Sequence, residues 1–423
     1  MGSSVDVVIV GAGAAGLSAA KAATGAGLSH IIVEAEGRSG GRAYTELSTL
    51  GLPMDHGAHY LHAASRNPLR DYADQHGLPY KRGGYTTKIF DGHWFSDDEQ
   101  ANFLAVAKKS LAEIALRADC GNQLSSHDVL VRSRLWSGAD EKYRPLFDGY
   151  YAEFLGAEAS EVAAGEHSRY QDSYEDWPVE NGYGALIAHY GADTPVVLQA
   201  AVREVDHTGR NIIVKTRKGD IRARTVLLTV STGVLASEMI RFTPPLPNAK
   251  NRAIDAIPMG YAGKIAFRLE GGQFAGIETH HGLINRPDGL FANLHIRPFE
   301  RPLAILIVGG PKWEVIERAG ADAMIAMGRR VISDLFGSRS LRDLKKTLAT
   351  KWVSDPHTLG GHSYMRPGHG FARADLAEPI DNRIFFAGEA TSSESWATVH
   401  GAYESGRRAI SEAAAALKKS RVA

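Results

Sequence analysis

The sequence predicts an α/β protein in which a Rossmann-like domain is interrupted by an inserted α+β domain. Three observations support this fold class. A strand, a glycine turn, a helix and a second strand follow one another within residues 5–34. Apolar strand patterns recur much later, at 196–228 and 383–387. Between them the helical and strand patterns have a different character, and 423 residues exceed what one hydrophobic core usually organises.

The N-terminal elements form a βαβ unit. Residues 5–10 (VDVVIV) are a short β-branched run that ends at a glycine, which is typical of a buried parallel strand. The alanine-rich stretch 14–23 predicts a helix, and residues 30–34 predict the second strand. This is the first half of a dinucleotide fold.

The later elements divide between the two domains. The segments VVLQAAVREV at 196–205, NIIVKT at 211–216, TVLLTV at 225–230 and RIFFA at 383–387 predict further strands of the first domain. The inserted domain is expected to contain helices near 97–118, 138–156 and 320–337 and strands near 261–270, 291–297 and 303–309. A surface helix is expected at 409–417. The predicted boundaries give 1–68, 178–243 and 348–423 to the first domain, and 69–177 and 244–347 to the inserted one.

Composition excludes several classes of partner. Lys plus Arg equals Asp plus Glu at 48 each, so no net field attracts nucleic acid or an anionic membrane. The longest uncharged stretch, 7–20, contains three glycines and is too short to span a bilayer. The start lacks the basic segment of a signal peptide, and the single Cys120 forms neither an intrachain disulfide nor a cysteine zinc site. These features favour the cytoplasm, with a homodimer as one option for the assembly.

Gly11, Gly13 and Gly16 form a GxGxxG pattern directly after the first predicted strand. In this context the first glycine permits a tight turn, the second lets a pyrophosphate approach the backbone, and the third allows close helix packing. The helix that follows offers free N–H groups and the positive end of its dipole. Glu34 closes the second strand, where an acid accepts hydrogen bonds from a ribose hydroxyl. The pattern alone also fits an ordinary glycine turn, but this order of elements predicts a bound dinucleotide.

Segments near both ends resemble the flavin amine oxidase superfamily. Residues 37–42 (GRSGGR) are similar to its paired-glycine motif, whose trailing arginine, here Arg42, is expected to meet the pyrophosphate. Residues 386–391 (FAGEAT) and 398–406 (TVHGAYESG) resemble its C-terminal flavin signature. A helix from Val399 is then expected to aim its positive end at the flavin and stabilise the reduced anion.

The resemblance implies an FAD-binding Rossmann-like domain of the glutathione reductase/p-hydroxybenzoate hydroxylase type, with the inserted α+β domain binding the substrate. It implies noncovalent FAD, because the cysteine that attaches flavin in monoamine oxidases is missing from this region. The cofactor-binding residues that it implies are Gly11, Gly13, Ala15, Gly16, Glu34, Ala35, Gly41, Arg42, Gly57, Ala58, His59, Val202, Trp352, Gly388, Glu389, Thr398 and Val399.

Lys264 is the first candidate catalytic residue. In a strand, Lys264 and Arg268 share one face, whereas Ile265, Phe267 and Leu269 share the other. The ordinary interpretation is a lysine on a solvated face. The segment GYAGKIAF, however, is similar to the family's GxxxK stretch, whose lysine reaches toward flavin N5 through a water. A desolvated lysine there would have a lowered pKa and organise that water for proton handling or for reaction with oxygen.

His62 is the second candidate catalytic residue and is also expected to bind the substrate. Residues 55–62 (DHGAHYLH) resemble the GAxWxHG stretch of polyamine oxidases, with Tyr60 for the usual tryptophan and Ala63 for its last glycine. Three histidines at a spacing of three suggest a metal site, but the loop lacks a nearby pair of acids, so no metal is expected. A histidine that is only hydrogen-bonded within its loop is the other interpretation.

Trp352 and His362 belong to a stretch similar to the family's tryptophan-then-GSYSY segment along the flavin. His362 stands where the polyamine branch often has tyrosine, so another aromatic residue would have to face the amine. Trp396, Tyr364 and Tyr403 are the alternatives, although each is by default a core residue. The expected substrate-binding residues are His62, Tyr60, His362, Trp396 and Thr398.

The resemblance implies oxidation of a small-molecule amine of the polyamine-like or secondary type. A hydride passes from the α-carbon of the neutral amine to flavin N5, the imine hydrolyses, and O2 reoxidises the flavin to give H2O2. An amine dehydrogenase with a protein acceptor and an L-amino acid oxidase are alternatives, although no arginine for a substrate carboxylate is identified by motif. A noncatalytic scaffold is disfavoured by the intact glycines, Glu34, Arg42 and Lys264.

Overall fold

The computed structural model describes residues 4–116 and 123–422, which form two large β-sheets with helices packed on them; Cys120 lies outside these residues. In chain order the strands are β1 Val5–Val10, β2 His30–Val33, β3 Thr45–Glu46, β4 Met54–Asp55, β5 Tyr60–Leu61, β6 Thr87–Asp91, β7 Trp177–Pro178, β8 Val196–Val197, β9 Val202–Asp206, β10 Ile212–Thr216, β11 Gly219–Leu228, β12 Arg241–Thr243, β13 Met259–Gly260, β14 Ala262–Leu269, β15 His280–Asn285, β16 Phe291–Ile296, β17 Leu303–Gly309, β18 Leu344–Ala349, β19 His362–Ser363 and β20 Ile384–Phe386. The helices are α1 Ala14–Gly25, α2 Pro68–His76, α3 Asp97–Leu116, α4 Ser126–Ser133, α5 Arg144–Leu155, α6 Ala164–His167, α7 Tyr183–Tyr190, α8 Thr232–Ala236, α9 Asn248–Ala256, α10 Pro311–Arg318, α11 Ala321–Phe336, α12 Ala372–Ala377 and α13 Val399–Val422.

The first sheet has the order β12-β9-β10-β11-β1-β2-β8, with β20 paired to β11. β1 runs parallel to both β2 and β11, and β20 runs parallel to β11, so their carboxyl ends lie at one edge of the sheet. α1 and α13 pack against each other beside this sheet. The α/β Rossmann-like fold class predicted from the sequence is therefore confirmed.

The second sheet has the order β18-β14-β17-β16-β15-β6, and its two faces differ in character. One face carries Ile265 and Phe267, which join the apolar core formed with α11 and Trp313. The other face is partly polar. Lys264 lies opposite Ile307 in the ladder, and His281 lies opposite His295. Because paired residues point to the same side and side chains alternate along each strand, Lys264, His281 and His295 all lie on this second face.

The predicted strands at 5–10 and 303–309 match β1 and β17, and the helix predicted at 320–337 is α11. The helical pattern predicted near 138–156 corresponds to two consecutive helical segments, a 3-10 helix at Gly138–Tyr143 and α5 at Arg144–Leu155, with Pro145 in the first turn of α5. The sequence missed β6, β15 and β18, which complete the second sheet. β18 crosses the proposed boundary at 347/348, and the domain boundaries stay a prediction. Within the described part of the chain, no helix is long and apolar enough to cross a membrane.

Candidate functional site

The two ends of the chain meet at one edge of the first sheet. Gly11 follows β1 and Gly388 follows β20, and both strands flank β11. Apart from its neighbours in the chain, the nearest described atom to a Cβ added at Gly388 would be the Thr229 carbonyl oxygen, at 3.7 Å. Behind this edge the helices α1 and α13 touch so closely that a Cβ on Gly406 would lie 2.1 Å from the Ala15 carbonyl oxygen. The glycine turn and the C-terminal segment therefore belong to one place in the fold.

The glycine turn leaves room for a ligand. A Cβ at Gly13 would find its nearest atoms, in Gly40 and Gly41, 3.9 Å away, whereas a Cβ at Gly16 would lie 1.9 Å from Gly11 O. Gly16 is thus required by packing, but the chain does not fill the space beside Gly13. α1 has no side-chain cap at its N-terminus, so its first N–H groups are available to a phosphate.

Glu34 is buried directly after β2 and holds this turn. One carboxylate oxygen accepts from the Ala12 N–H at 2.7 Å, and the other accepts from the Glu36 N–H at 2.9 Å. Each oxygen keeps a further lone pair, so a ribose hydroxyl finds an acceptor there. The open space at Gly13, the uncapped helix and this buried acid together fit a dinucleotide.

Arg42 and Glu389 join the two segments that resemble the flavin signatures. Arg42 Nη1 donates to Glu389 Oε1 and to Gly361 O, each at 3.0 Å. Burial by itself raises the pKa of Glu389, but Arg42 and Arg373 outweigh burial and lower that pKa to about 2. The Arg42 side chain is 25% exposed, so part of it faces open space in which a phosphate fits.

Lys264 lies in the middle of β14 and is only 5% exposed, so the solvated-face interpretation is wrong. Its Nζ donates to Gly57 O at 2.6 Å and to Asp55 O at 3.0 Å, and lies 3.1 Å from His59 Nδ1. Burial lowers the pKa of Lys264 to about 8, against the opposing charges of Asp55 and Glu153. The structure thus holds a lysine that changes protonation near neutral pH.

His62 follows β5 and is paired with a carboxylate, which the sequence did not reveal. Its Nδ1 lies 2.7 Å from Asp176 Oδ1, and the two side chains are 37% and 49% exposed, so the pair faces open space. Burial lowers the pKa of His62, but Asp176 and, more weakly, Asp172 outweigh burial and raise that pKa. Tyr60 is buried, with its ring centroid 4.3 Å from that of His59.

Trp352 supports the loop that carries Gly57. Its Nε1 donates to the His56 carbonyl at 3.0 Å, and a Cβ on Gly57 would lie 3.4 Å from Trp352 Cζ2. His362 lies in β19, which pairs with β13, and burial lowers the pKa of its imidazole to about 4. Its Nδ1 has no hydrogen-bond partner among the described residues, so this ring offers a polar atom near Arg42 and Glu389.

Two predicted substrate residues, Thr398 and Trp396, make contacts with their own surroundings, and their part in substrate binding stays a prediction. Thr398 precedes α13, where its hydroxyl accepts from the Gly401 N–H at 3.0 Å and donates to Ser395 O at 2.7 Å. Capping therefore uses the hydroxyl that was expected to bind substrate. Trp396 is buried, with its ring centroid 5.0 Å from that of Tyr170.

The remaining implied residues lie at several places in the fold: Ala15 lies in α1, Ala35 follows β2, Gly41 lies beside Gly13, Ala58 follows Gly57, Val202 lies in β9, Val399 begins α13 and Tyr403 packs on Tyr190.

Sequence reasoning missed the side chains that surround Lys264 and His62. They come from β15, β16, α5 and the segment before β7, and they are His281, His295, Glu153, Asp172 and Asp176. Of these residues, only His295 could have been found from the sequence. It stands between the apolar Leu294 and Ile296 of a predicted strand, so its side chain is expected on the opposite face of the sheet. Among the described residues, no three His, Cys, Asp or Glu side chains are grouped so that they could hold a metal ion.

The fold and the site define a Rossmann-like α/β protein whose second sheet presents a buried lysine. The chain matches, over residues 14–413, the family described as flavin containing amine oxidoreductase. It therefore belongs to that family and is an amine oxidoreductase with a flavin cofactor.

The chain is similar in sequence to curated relatives and in fold to a solved structure. Polyamine oxidase 4 of Oryza sativa subsp. japonica is 26% identical, over 96% of this chain and 88% of its own length. Lysine-specific histone demethylase 1 homolog 2 of Arabidopsis thaliana is 27% identical over 97% of this chain, which spans only 58% of that relative. The fold is similar to that of cyclohexylamine oxidase from Brevibacterium oxydans IH-35A, with a TM-score of 0.82, 23% identity, and coverage of 98% of this chain and 100% of the other.

Proposed function

We propose that this chain is an FAD-dependent amine oxidase that oxidises a polyamine-like or secondary amine and uses O2 as its electron acceptor. The observation that carries the proposal is Lys264, buried against the Gly57 and Asp55 carbonyls and shifted to a pKa of about 8. FAD, when bound, supplies the acceptor that takes a hydride from the α-carbon of the amine and returns the electrons to O2 as H2O2.

Four groups would hold the cofactor. The N-terminus of α1 and Gly13 meet its pyrophosphate, Glu34 its ribose, and Arg42 a further phosphate oxygen. We expect noncovalent binding, because the single cysteine of the chain lies far from the C-terminal signature in sequence. Acid precipitation should then release all of the flavin into the supernatant. Flavin that stays in the pellet would contradict noncovalent binding.

Two groups would manage the proton of the substrate. An ammonium must lose a proton before its α-carbon can give up a hydride, because the nitrogen lone pair drives the hydride out. Lys264 is neutral above about pH 8 and then accepts a proton, directly or through a water. The His62–Asp176 pair faces open space and orients the amine or its cation.

Acidic and aromatic side chains support the substrate class. The carboxylates of Asp172 and Asp176 act electrostatically on His62 and on Tyr170. Carboxylates beside aromatic rings suit a substrate with a second ammonium group. The polyamine oxidase relatives favour the same class.

Anaerobic titration tests the proposal. The purified protein is mixed with spermine, spermidine, a simple secondary amine, a primary monoamine and an L-amino acid, and the flavin absorbance is followed. We expect bleaching by the polyamines or the secondary amine, and rapid recovery of colour with H2O2 release when air is admitted. Bleaching without recovery in air would favour an amine dehydrogenase instead, and bleaching by the amino acid alone would favour an L-amino acid oxidase.

We expect the enzyme to work in the cytoplasm.

A further inference from the structure

Three histidines lie close together beside Lys264, His281 and His295 on the second sheet and His59 on the loop before β5. The Nε2 atoms of His59, His281 and His295 are buried and have no hydrogen-bond partner among the described residues. The ring centroids of His59 and His295 lie 5.2 Å apart, and those of His295 and His281 lie 4.4 Å apart. Buried polar atoms are rarely left unpaired, so this group calls for water or another ligand.

Among the residues that the structure describes, His59 is the one group in contact with the Lys264 amine that can take its proton. The ammonium has three N–H bonds, and its three neighbours are the Gly57 carbonyl, the Asp55 carbonyl and His59 Nδ1. A backbone carbonyl accepts a hydrogen bond but not a proton at neutral pH, whereas an imidazole accepts a proton on one nitrogen and releases one from the other.

A cavity links this contact to the surface. It has a volume of about 50 Å³ and is lined by Lys264, His59 and His295, and also by Glu180 and Arg301. That volume holds roughly three to four waters. The cavity is not fully enclosed, and its wall includes the exposed side chain of Glu180. Water in the cavity would give the unpaired nitrogens of His59 and His295 their missing partners.

We propose that Lys264 exchanges its proton with solvent through His59, cavity water and His295. The proposal rests on the proposed function, in which Lys264 must be reset in each turnover. In the transfer, an N–H bond of the Lys264 ammonium breaks as a bond forms between the proton and His59 Nδ1, and the proton on His59 Nε2 passes to water. Two N–H bonds break and two bonds to hydrogen form, so in net one proton passes from Lys264 to the cavity water, from which His295 relays it to solvent, and no electrons are transferred. The other titratable or charged groups around this path come from several elements, and they are Asp55, Tyr60, His62, Tyr85, Glu153, Asp176, Glu180, His281 and Arg301.

Nitrogen NMR of the resting protein tests the first step without any turnover. In protein labelled with [15N]histidine, we expect His59 to carry its proton on Nε2, because its Nδ1 accepts from Lys264. The His59→Gln variant assigns the signals. In Lys264→Met the His59 Nδ1 resonance should move, while the signals of His280, on the opposite face of β15, stay in place. A His59 with its proton on Nδ1, or one insensitive to Lys264→Met, would overturn the proposal.

Chemical rescue tests the remainder of the path. His295→Ala should slow turnover at pH 7 about tenfold, and added imidazole should restore it, whereas the weakly basic pyrazole should not. His295→Gln, which keeps the volume, should be slowed similarly, and the matched control His280→Ala should not respond to imidazole. An unchanged rate in His295→Ala and His295→Gln, or equal rescue by both azoles, would overturn the path. Bleaching of the unmodified protein by an amine is measured first, so that a failure of the proposed function is seen separately.

Discussion

The chemical character of Lys264 comes from its surroundings rather than from its sequence neighbours. β14 is buried on both faces, so the ammonium loses its hydration, and the two loop carbonyls and His59 replace only part of it. Asp55 is itself buried, and burial raises the pKa of its carboxyl, which weakens the electrostatic support that it gives to the lysine.

The pH profile of amine oxidation should report Lys264. With a pKa of about 8, the Lys264 side chain is mostly a neutral amine above pH 8 and mostly an ammonium below it. The rate of flavin reduction should therefore rise as the pH rises through this region. In Lys264→Met this inflection should vanish and the rate should fall about a hundredfold. Anaerobic stopped-flow measurements between pH 6 and 10 check both effects.

Lys250 provides the matched control for this experiment. It is also buried, its pKa is also lowered to about 8 by burial, and its Nζ donates to the carbonyls of Asp375, Leu376 and Glu378. Lys250→Met should destabilise the fold but leave the inflection in place. An inflection near pH 8 that persists in Lys264→Met would show that another group is responsible.

Asp176 should set the ionisation of His62. Burial pulls the pKa of His62 down and Asp176 pulls it up more strongly, so Asp176→Asn should make the imidazole lose its proton at a lower pH than in the unmodified protein. A proton NMR titration of the His62 ring measures this change. Asp172→Asn should have a smaller effect, because Asp172 acts on His62 only through its charge. Equal effects of the two variants would contradict this account.

At the scale of elements, two glycines of the turn between β1 and α1 have different roles: Gly16 is required by packing, and Gly13 leaves space for a ligand. Gly16 has the Gly11 carbonyl against its Cα, whereas Gly13 has φ −76° and open space. Alanine is therefore compatible with the backbone at position 13 but not with the space at position 16.

Gly13→Ala should keep the stability of the flavin-free protein and lose affinity for FAD by tenfold or more, because the methyl group occupies the approach of the pyrophosphate. Gly16→Ala should lower the free energy of unfolding by about 1–3 kcal/mol with or without FAD. Thermal unfolding and fluorescence titration with FAD measure the two quantities. Normal FAD affinity in Gly13→Ala would place the pyrophosphate elsewhere.

At the scale of the whole molecule, Glu389 holds together distant parts of the chain. It binds Arg42 from the N-terminal region and Ser363 from β19, and Arg373 from α12 acts on it electrostatically. Glu166 of the inserted segment forms a buried ion pair with the same Arg373. The fold of the C-terminal segment therefore depends on charges that the sequence places hundreds of residues apart.

Acid unfolding should reveal this role. The pKa of Glu389 falls from the usual 4.5 to about 2 in the folded protein, so its contribution is fully present above about pH 4.5 and is lost as the pH falls toward 2. Glu389→Gln should lower the free energy of unfolding at pH 7 by about 3 kcal/mol and flatten its fall between pH 4.5 and 2. Denaturant unfolding at a series of pH values measures the free energy of unfolding of both proteins. The exposed Glu394→Gln serves as the control, and an equally steep fall in Glu389→Gln would contradict the assignment.

The elements that the sequence predicted well are those with strong local signals. The β-branched run of β1, the alanines of α1 and the apolar pattern of β17 each specify their element without help from the rest of the chain. β15 (HHGLIN) was missed because histidines and a glycine hide its alternation, and β18 because two lysines interrupt it. Lys264 was found through a resemblance, but its partner His59 was expected to serve the cofactor and in the structure contacts the lysine.

The sequence by itself determined the Rossmann-like fold, the glycine turn and the family, because each rests on neighbouring residues whose spacing is fixed by one strand or one helix. Only the tertiary structure decided which groups face Lys264 and His62. Asp176, His281 and His295 reach the site from separate strands and loops, and their pairing depends on sheet register and on burial. Those are properties of the folded chain, since desolvation and charge contacts arise only when distant segments are brought together.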